Sequence, residues 1–128
     1  AARVFHVFDE MNLEGIRPNL ITFINLLNAC NHAGLLFSGQ MYFEAMSIEY
    51  GIVPSLEHYT CMVNLFCRAG QLHEAVGMMK RMPMYPDFVI WCTFLGSCQK
   101  WGSVEYGEKA FEQAMMLDEM DASAYLSM

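Results

Sequence analysis

Four histidines and five cysteines are the side chains here best suited to hold a metal or attack a substrate, and their spacing argues against both roles. Zinc-dependent deamination needs a His-x-Glu pair for ligand and proton shuttle, with Cys-x-x-Cys completing the metal site. None of His6, His32, His58 and His73 has a glutamate two residues later. Cys61 and Cys67 stand six apart, as do Cys92 and Cys98, too far for a metal pair on one helical face. Glu57-His58 and His73-Glu74 could suggest acid–base work. Adjacent helix residues do not face each other, however, and both pairs read as solvated surface. Gly-rich phosphate loops and a nucleophile elbow are missing. The expectation is a non-enzymatic chain with no metal and no cofactor. Its cysteines read as reduced packing residues.

The elements that position these residues repeat. Gly15-Ile16-Arg17-Pro18-Asn19 returns as Gly51-Ile52-Val53-Pro54-Ser55 and more loosely as Met84-Tyr85-Pro86-Asp87. Ala33-Gly34, Ala69-Gly70 and Trp101-Gly102 are separated by 36 and then 32 residues. Phe23, Tyr59 and Trp91 keep those intervals, and Tyr125 follows 34 residues later. Phe8 and Met11 find counterparts in Phe43 and Met46, then in Met79 and Met82. A period of this length marks a solenoid whose units bury their apolar faces against their neighbours.

Within the unit at 20–55, Phe23, Leu26, Leu27 and Cys30 follow the i, i+3, i+4, i+7 rule of an amphipathic helix. Gly34 supplies a left-handed turn. A second helix then carries Met41, Phe43, Met46 and Ile48 before Gly51 and Pro54 close the unit. Tyr59, Met62, Val63 and Phe66, then Leu72, Ala75, Val76 and Met79, repeat the plan over 56–87. Trp91, Leu95 and Cys98, then Tyr106, Ala110 and Ala114, repeat it over 88–121. The fold class expected is all-α, a right-handed helical-hairpin solenoid of tetratricopeptide-like form. Residues 1–19 form the second half of an earlier unit and 122–128 the start of a later one, as in a segment cut from a longer array. Apolar faces at the two ends favour self-association.

Hydrophobic residues make up 55% of the 128 positions, which fits helices apolar on two sides. No apolar run is long enough for a membrane helix. Of the twelve methionines, Met11, Met46 and Met82 share one phase and read as packing, with Met115 and Met116 as surface candidates. Net charge is −7, which opposes tight non-specific nucleic-acid binding.

No unit has the Trp-x2-Leu-Gly-x2-Tyr opening of a tetratricopeptide repeat. The aromatic near the start, Ala-Gly between the helices and the Gly-Ile-x-Pro-Asn/Ser close resemble the pentatricopeptide repeat instead. Unit lengths of 36, 32 and 34 residues resemble the end of the plant PLS class. Ile21-Thr22-Phe23 through Ala33-Gly34 is similar to its terminal long unit, at 20–55. Glu57-His58-Tyr59 with Arg68-Ala69-Gly70 is similar to its terminal short unit, at 56–87. Trp91 with Leu95-Gly96-Ser97-Cys98 and Val104-Glu105-Tyr106-Gly107-Glu108 is similar to its first E-type unit, at 88–121.

The resemblance implies an RNA-binding segment of a specificity factor for C-to-U editing, in the mitochondrion or chloroplast. Its E-type end would dock proteins of the editing complex. The alternatives are a protein-interaction scaffold and a factor for organellar RNA splicing or stability. In the family one unit reads one base of single-stranded RNA through its fifth and last residues, and bases stack on apolar second residues. Asn19 closes the first, partial unit and would favour the amino-bearing bases through its amide oxygen. Ile24 and Ser55 occupy the slots of the long unit, although Ile24 has no hydrogen-bonding atom. Thr60 and Asp87 occupy those of the short unit, a pairing associated with guanine, beside Glu57 where an apolar residue is expected. Cys92 and Asp121 fill the E-type slots and form no recognised pair.

Overall fold

The computed structural model describes the backbone of residues 2–126 and the side chains of residues 2–117. It contains seven helices and, among the described residues, no strand: α1 (Ala2–Leu13), α2 (Leu20–Ala33), α3 (Leu36–Ile48), α4 (Leu56–Arg68), α5 (Leu72–Arg81), α6 (Phe88–Trp101) and α7 (Val104–Leu126). The chain is an all-α repeat fold. Left-handed glycines end both kinds of helix. Gly34, Gly70 and Gly102 have φ of 69°, 74° and 73°, and the residue after each donates its N–H to a carbonyl five positions back. Gly15 does the same after α1 at φ of 75°, and after Gly51, at φ of 62°, the Ile52 N–H reaches the Met46 carbonyl six positions back. Expected turn residues thus stand at five of the six junctions. At the sixth, α5 stops before Pro83 and Pro86.

Helices α2–α3, α4–α5 and α6–α7 pack as hairpins. Successive first helices then stack directly, α2 on α4 and α4 on α6, while α1, α3 and α5 each lean on the first helix that follows. Among the described residues, α1, α3, α5 and α7 show no comparably close backbone packing on one another. A row that is tight along one edge and splayed along the other must curve, so α2, α4 and α6 form the inner face. Hydrogen bonds tie the inner helices in parallel. His58 Nε2 reaches the Leu20 carbonyl at 3.0 Å at their N-terminal ends. Trp101 Nε1 donates to the Cys67 carbonyl at 2.9 Å at their C-terminal ends, where Arg68 also donates to the Asn31 carbonyl. Between the outer helices side chains reach across, as in the Phe5–Tyr42 stack at 5.6 Å and the 3.2 Å contact of His73 Nδ1 with the Tyr106 hydroxyl.

The core runs the length of the row. Phe23, Leu26, Leu27 and Cys30 are fully buried, as their spacing predicts. Phe23 meets Phe8 of α1 at 5.8 Å, and Tyr59 meets the equivalent Phe43 of α3 at 5.3 Å. The equivalent position in α5 is Met79, so Trp91 takes Phe94 of its own helix as its ring partner at 6.3 Å. Gly39, Ala75 and Gly107 recur at the same 36- and 32-residue intervals. A Cβ at Gly39 or Gly107 would meet the Cβ of Cys30 or Cys98 in its own hairpin at 3.6 Å, at Gly39 it would also collide with Leu65 Cδ1 of the next hairpin, and Ala75 is wholly buried.

Several packing expectations need correction. In α6 the deepest residues are Ile90, Phe94 and Cys98, with Trp91 and Leu95 half-buried beside them. The stripe keeps the phase of Leu26 and Cys30, 68 residues earlier, and the expected Cys98 is buried, but Trp91 and Leu95 are less covered than their counterparts Phe23 and Leu27. Met41 and Ile48 do not pack inward. With Phe37 they line the solvent side of α3, opposite the buried Gly39, Phe43 and Met46. That helix is apolar on two sides and only one is covered. Met46 and Met82 are buried, Met11 is half-buried, and Met115 and Met116 are exposed. At the other end, α7 runs as continuous helix across position 122, where a new unit was expected to open. No Gly or Pro stands between 108 and 126 to end it. The side chains of Asp121 and Tyr125 lie outside the described residues.

Candidate nucleic-acid interface

Three inner-helix N-termini lie along one rim, and each has a polar cap at the position expected to read a base. Helix ends leave unpaired N–H groups, so a cap is needed whatever else the residue does. Asn19 Oδ1 accepts from the Thr22 N–H at 3.0 Å and from the Thr22 hydroxyl at 3.1 Å, and Thr22 Oγ1 accepts from the Asn19 N–H at 3.2 Å. Both lone pairs of the amide oxygen are therefore used. The oxygen expected to accept from a base is thus already engaged by two internal donors, while the Nδ2 group makes no hydrogen bond among the described residues.

Ser55 caps α4 through a different residue. Its N–H donates to His58 Nδ1 at 3.0 Å, and its hydroxyl lies 2.7 Å from the same nitrogen. A backbone N–H can only donate and a carbonyl can only accept. Nδ1 is thus bare and Nε2 carries the hydrogen given to Leu20. Burial holds the His58 pKa below the ordinary histidine value, against the smaller opposing effects of the Leu20 carbonyl and Glu57. The solvated-surface reading of Glu57-His58 fails for the histidine, which is 0% exposed. Its partner carbonyl lies 38 residues earlier in the chain, beyond the reach of any local pattern. His73 is exposed, as that reading required.

Thr60, half-buried one turn into α4, donates its hydroxyl to the Leu56 carbonyl at 2.8 Å. Its oxygen is left with acceptor capacity alone. Asp87 caps α6 by accepting from the Ile90 N–H at 2.9 Å through Oδ1 and is exposed. Its second oxygen also offers only an acceptor. Thr60 and Asp87 thus sit on adjacent, directly packed inner helices with matching hydrogen-bonding character. Ile24 is half-buried and contributes no polar atom. The second residues of the three inner helices, Ile21, Glu57 and Val89, are exposed on the same first turn, and two of them are apolar.

Charge is divided between the faces. Along α2, α4 and α6 the only acid is Glu57, against Arg68 and Lys100. The α7 sequence carries Glu105, Glu108, Glu112, Asp118, Glu119 and Asp121 with Lys109 as its only base. Most of the acid therefore lies on α7, while the N-terminal rim carries Glu57 and Asp87 and the inner-helix bases Arg68 and Lys100 stand at the opposite ends.

Among the described residues, no three of His, Cys, Asp and Glu gather as a metal site, and no helix is long and apolar enough to cross a membrane. Cys30, Cys61, Cys67 and Cys98 are buried thiols, while Cys92 is exposed. Burial pushes the thiol pKa of both Cys61 and Cys67 up to about 11. The outward sides of the first and last hairpins leave grooves of 740 and 590 Å³, lined in part by Val4, Val7 and Ile21 and by Leu95, Val104 and Phe111.

Two family models match, a pentatricopeptide repeat domain over residues 2–35 and a PPR repeat over residues 50–83. Together they cover more than half of the chain. A chloroplastic pentatricopeptide repeat-containing protein of Arabidopsis thaliana is 39% identical over 128 residues, 100% of this chain and 15% of the relative. A mitochondrial one from the same plant is 44% identical over 119 residues, 93% of this chain and 20% of the relative. The chain thus spans a fifth or less of the length of these relatives. Two solved structures share the fold. The maize pentatricopeptide repeat protein PPR10 superposes with a TM-score of 0.73 at 24% identity, over 87% of this chain and 16% of that one. The PPR domain of Arabidopsis thaliana protein-only RNase P 1, solved in complex with tRNA, gives 0.73 at 21% identity over 91% of this chain and 61% of that one. The repeated hairpins, the glycine turns and these matches lead to one conclusion: the chain belongs to the pentatricopeptide repeat family.

Proposed function

We infer that this segment binds single-stranded RNA along its inner rim, as part of an organellar specificity factor for C-to-U editing. The observation that carries the reading is the pair of acceptor-only groups, Thr60 and Asp87, on adjacent inner helices. Guanine presents two donors, N1–H and the N2 amino group, on its pairing edge, and two acceptors suit it. Asn19, left with donors, suits the ring-nitrogen acceptors of adenine or cytosine. Ile21 and Val89 supply apolar surface for stacking, while Glu57 weakens stacking at its own unit. Organellar placement rests on the chloroplastic and mitochondrial relatives.

On this reading the segment comprises long, short and E-type repeats at 20–55, 56–87 and 88–121 after a partial unit at 1–19, and the partial unit assigned to 122–128 continues α7 without a break. The E-type repeat faces protein. The acidity of α7 and the exposure of Phe111, Met115 and Met116 disfavour RNA and favour docking of the editing machinery there. Self-association in isolation follows from the two uncovered end grooves.

The deciding experiment compares the full-length protein with a Thr60→Ala, Asp87→Ala double variant on a randomised pool of single-stranded RNAs. Loss of the preference for guanine at one position, tenfold or more (about 1 to 3 kcal/mol), supports base reading. Unchanged and uniform affinity for all RNAs makes the segment a protein scaffold.

A further inference from the structure

We propose that His58 is a positioning residue of the RNA groove, a clamp that fixes Ser55 relative to Asn19 and so sets the spacing between two neighbouring base slots. This rests on the RNA-reading role of the inner rim.

The argument comes from comparing the third residue of each inner helix. In α2 it is Thr22, whose short side chain closes a local box with Asn19 and reaches no further. In α6 it is Ile90, which has no polar side-chain atom. In α4 it is His58, long enough to work in two directions. Nδ1 takes the Ser55 N–H and hydroxyl at 3.0 and 2.7 Å, and Nε2–H reaches across to the Leu20 carbonyl at 3.0 Å. Leu20 directly follows Asn19. One wholly buried ring therefore connects the closing residue of one unit to the peptide next to the closing residue of the unit before it. Among the described residues no counterpart joins the N-terminal end of α6 to that of α4 at this position. The clamp also turns the Ser55 hydroxyl proton inward, so the Ser55 oxygen meets a base only as an acceptor.

The test uses the full-length protein on the same randomised RNA pool, with His58→Leu, His58→Gln and the Thr60→Ala, Asp87→Ala variant in parallel. His58→Leu is expected to reduce nucleotide preference about tenfold at the two positions facing Asn19 and Ser55 while leaving the position facing Thr60 and Asp87 intact. His58→Gln, whose amide can donate to Leu20, should recover part of that loss. A general loss of stability would lower all three positions together and show no such recovery. The clamp is overturned if His58→Leu keeps its preferences at the first two positions, or loses all three equally. Should the Thr60→Ala, Asp87→Ala variant also match the unsubstituted protein, the RNA reading itself falls. Nitrogen NMR of the imidazole provides a check that needs no RNA: at neutral pH the clamp requires hydrogen on Nε2 and a bare Nδ1. Hydrogen on Nδ1 rejects it.

Discussion

The inner and outer helices of this chain have been made from similar amounts of apolar residue and have come to differ in almost everything else. The inner set, α2, α4 and α6, is joined helix to helix through backbone approach, with hydrogen bonds at both ends of the α2–α4 pair and at the C-terminal ends of α4–α6. Its charge is sparse and its N-termini are capped by polar residues. The outer set is spread apart, bridged by aromatic and histidine side chains, and carries most of the acid. The difference teaches that net charge is a poor guide to the partner of a solenoid. The N-terminal rim proposed to bind RNA is one stripe of the surface, separate from the acid of α7.

The largest effect expected from challenging this contrast comes from removing matched aromatics. Phe23→Ala empties a fully buried inner site and should cost about 3 to 5 kcal/mol in urea unfolding. Phe37→Ala, on the outer face at 75% exposure, should stay within about 0.5 kcal/mol. Similar losses at both would erase the distinction. Gly39→Ala is next: the added methyl meets Leu65 where α3 crosses toward α4, and thermal melting should report a loss of about 1 to 3 kcal/mol. Charge reversal then probes the two faces separately. Glu57→Lys should strengthen RNA binding several-fold and steepen its salt dependence, by about 0.7 in the log–log slope for one added phosphate contact. Glu105→Lys on α7 should leave both unchanged, and an equal gain there would place RNA on the outer side.

The smallest expected effect is on pH dependence. Because the folded-state pKa of His58 is depressed, the unfolded chain binds its proton more readily. Stability contributed by neutral His58 is complete above about pH 6.5 and falls as the solution is acidified below that value. His58→Gln should flatten this slope. At the alkaline side Cys61 and Cys67, raised to about 11, act in the opposite sense. The unfolded thiols ionise first, so stability declines as pH rises from about 8.5 toward 11.

Much of the architecture was legible because the features that carry it recur. Phe23 with Tyr59, and Gly34 with Gly70 and Gly102, announce their roles by interval, and the α2 core was readable residue by residue. The small positions Gly39, Ala75 and Gly107 keep the same intervals, so that signal was present and unused. So was the Asn19-x-x-Thr22 capping pattern, which would have predicted that the amide oxygen is occupied. The burial of His58 was a different matter. It depends on where the Leu20 carbonyl comes to rest after a whole unit of chain, a consequence of how units stack. In α6, Trp91 and Leu95 looked like core by analogy with Phe23 and Leu27, but they are only half-buried, while Ile90 and Phe94 keep the buried positions of His58 and Met62. Met41 and Ile48 satisfied an apolar spacing that does not say which side of α3 is covered.

Tying the inner helices through main-chain carbonyls, and the outer ones through side-chain tips, fixes where the row can bend. The strongly joined edge acts as the neutral axis: flexing opens or shuts the far side like the ribs of a fan while distances along the near side stay almost constant. A ligand gripped along that edge would keep its grip as the superhelix tightens or relaxes. Mechanical strain from neighbouring units would be absorbed where no nucleotide is held.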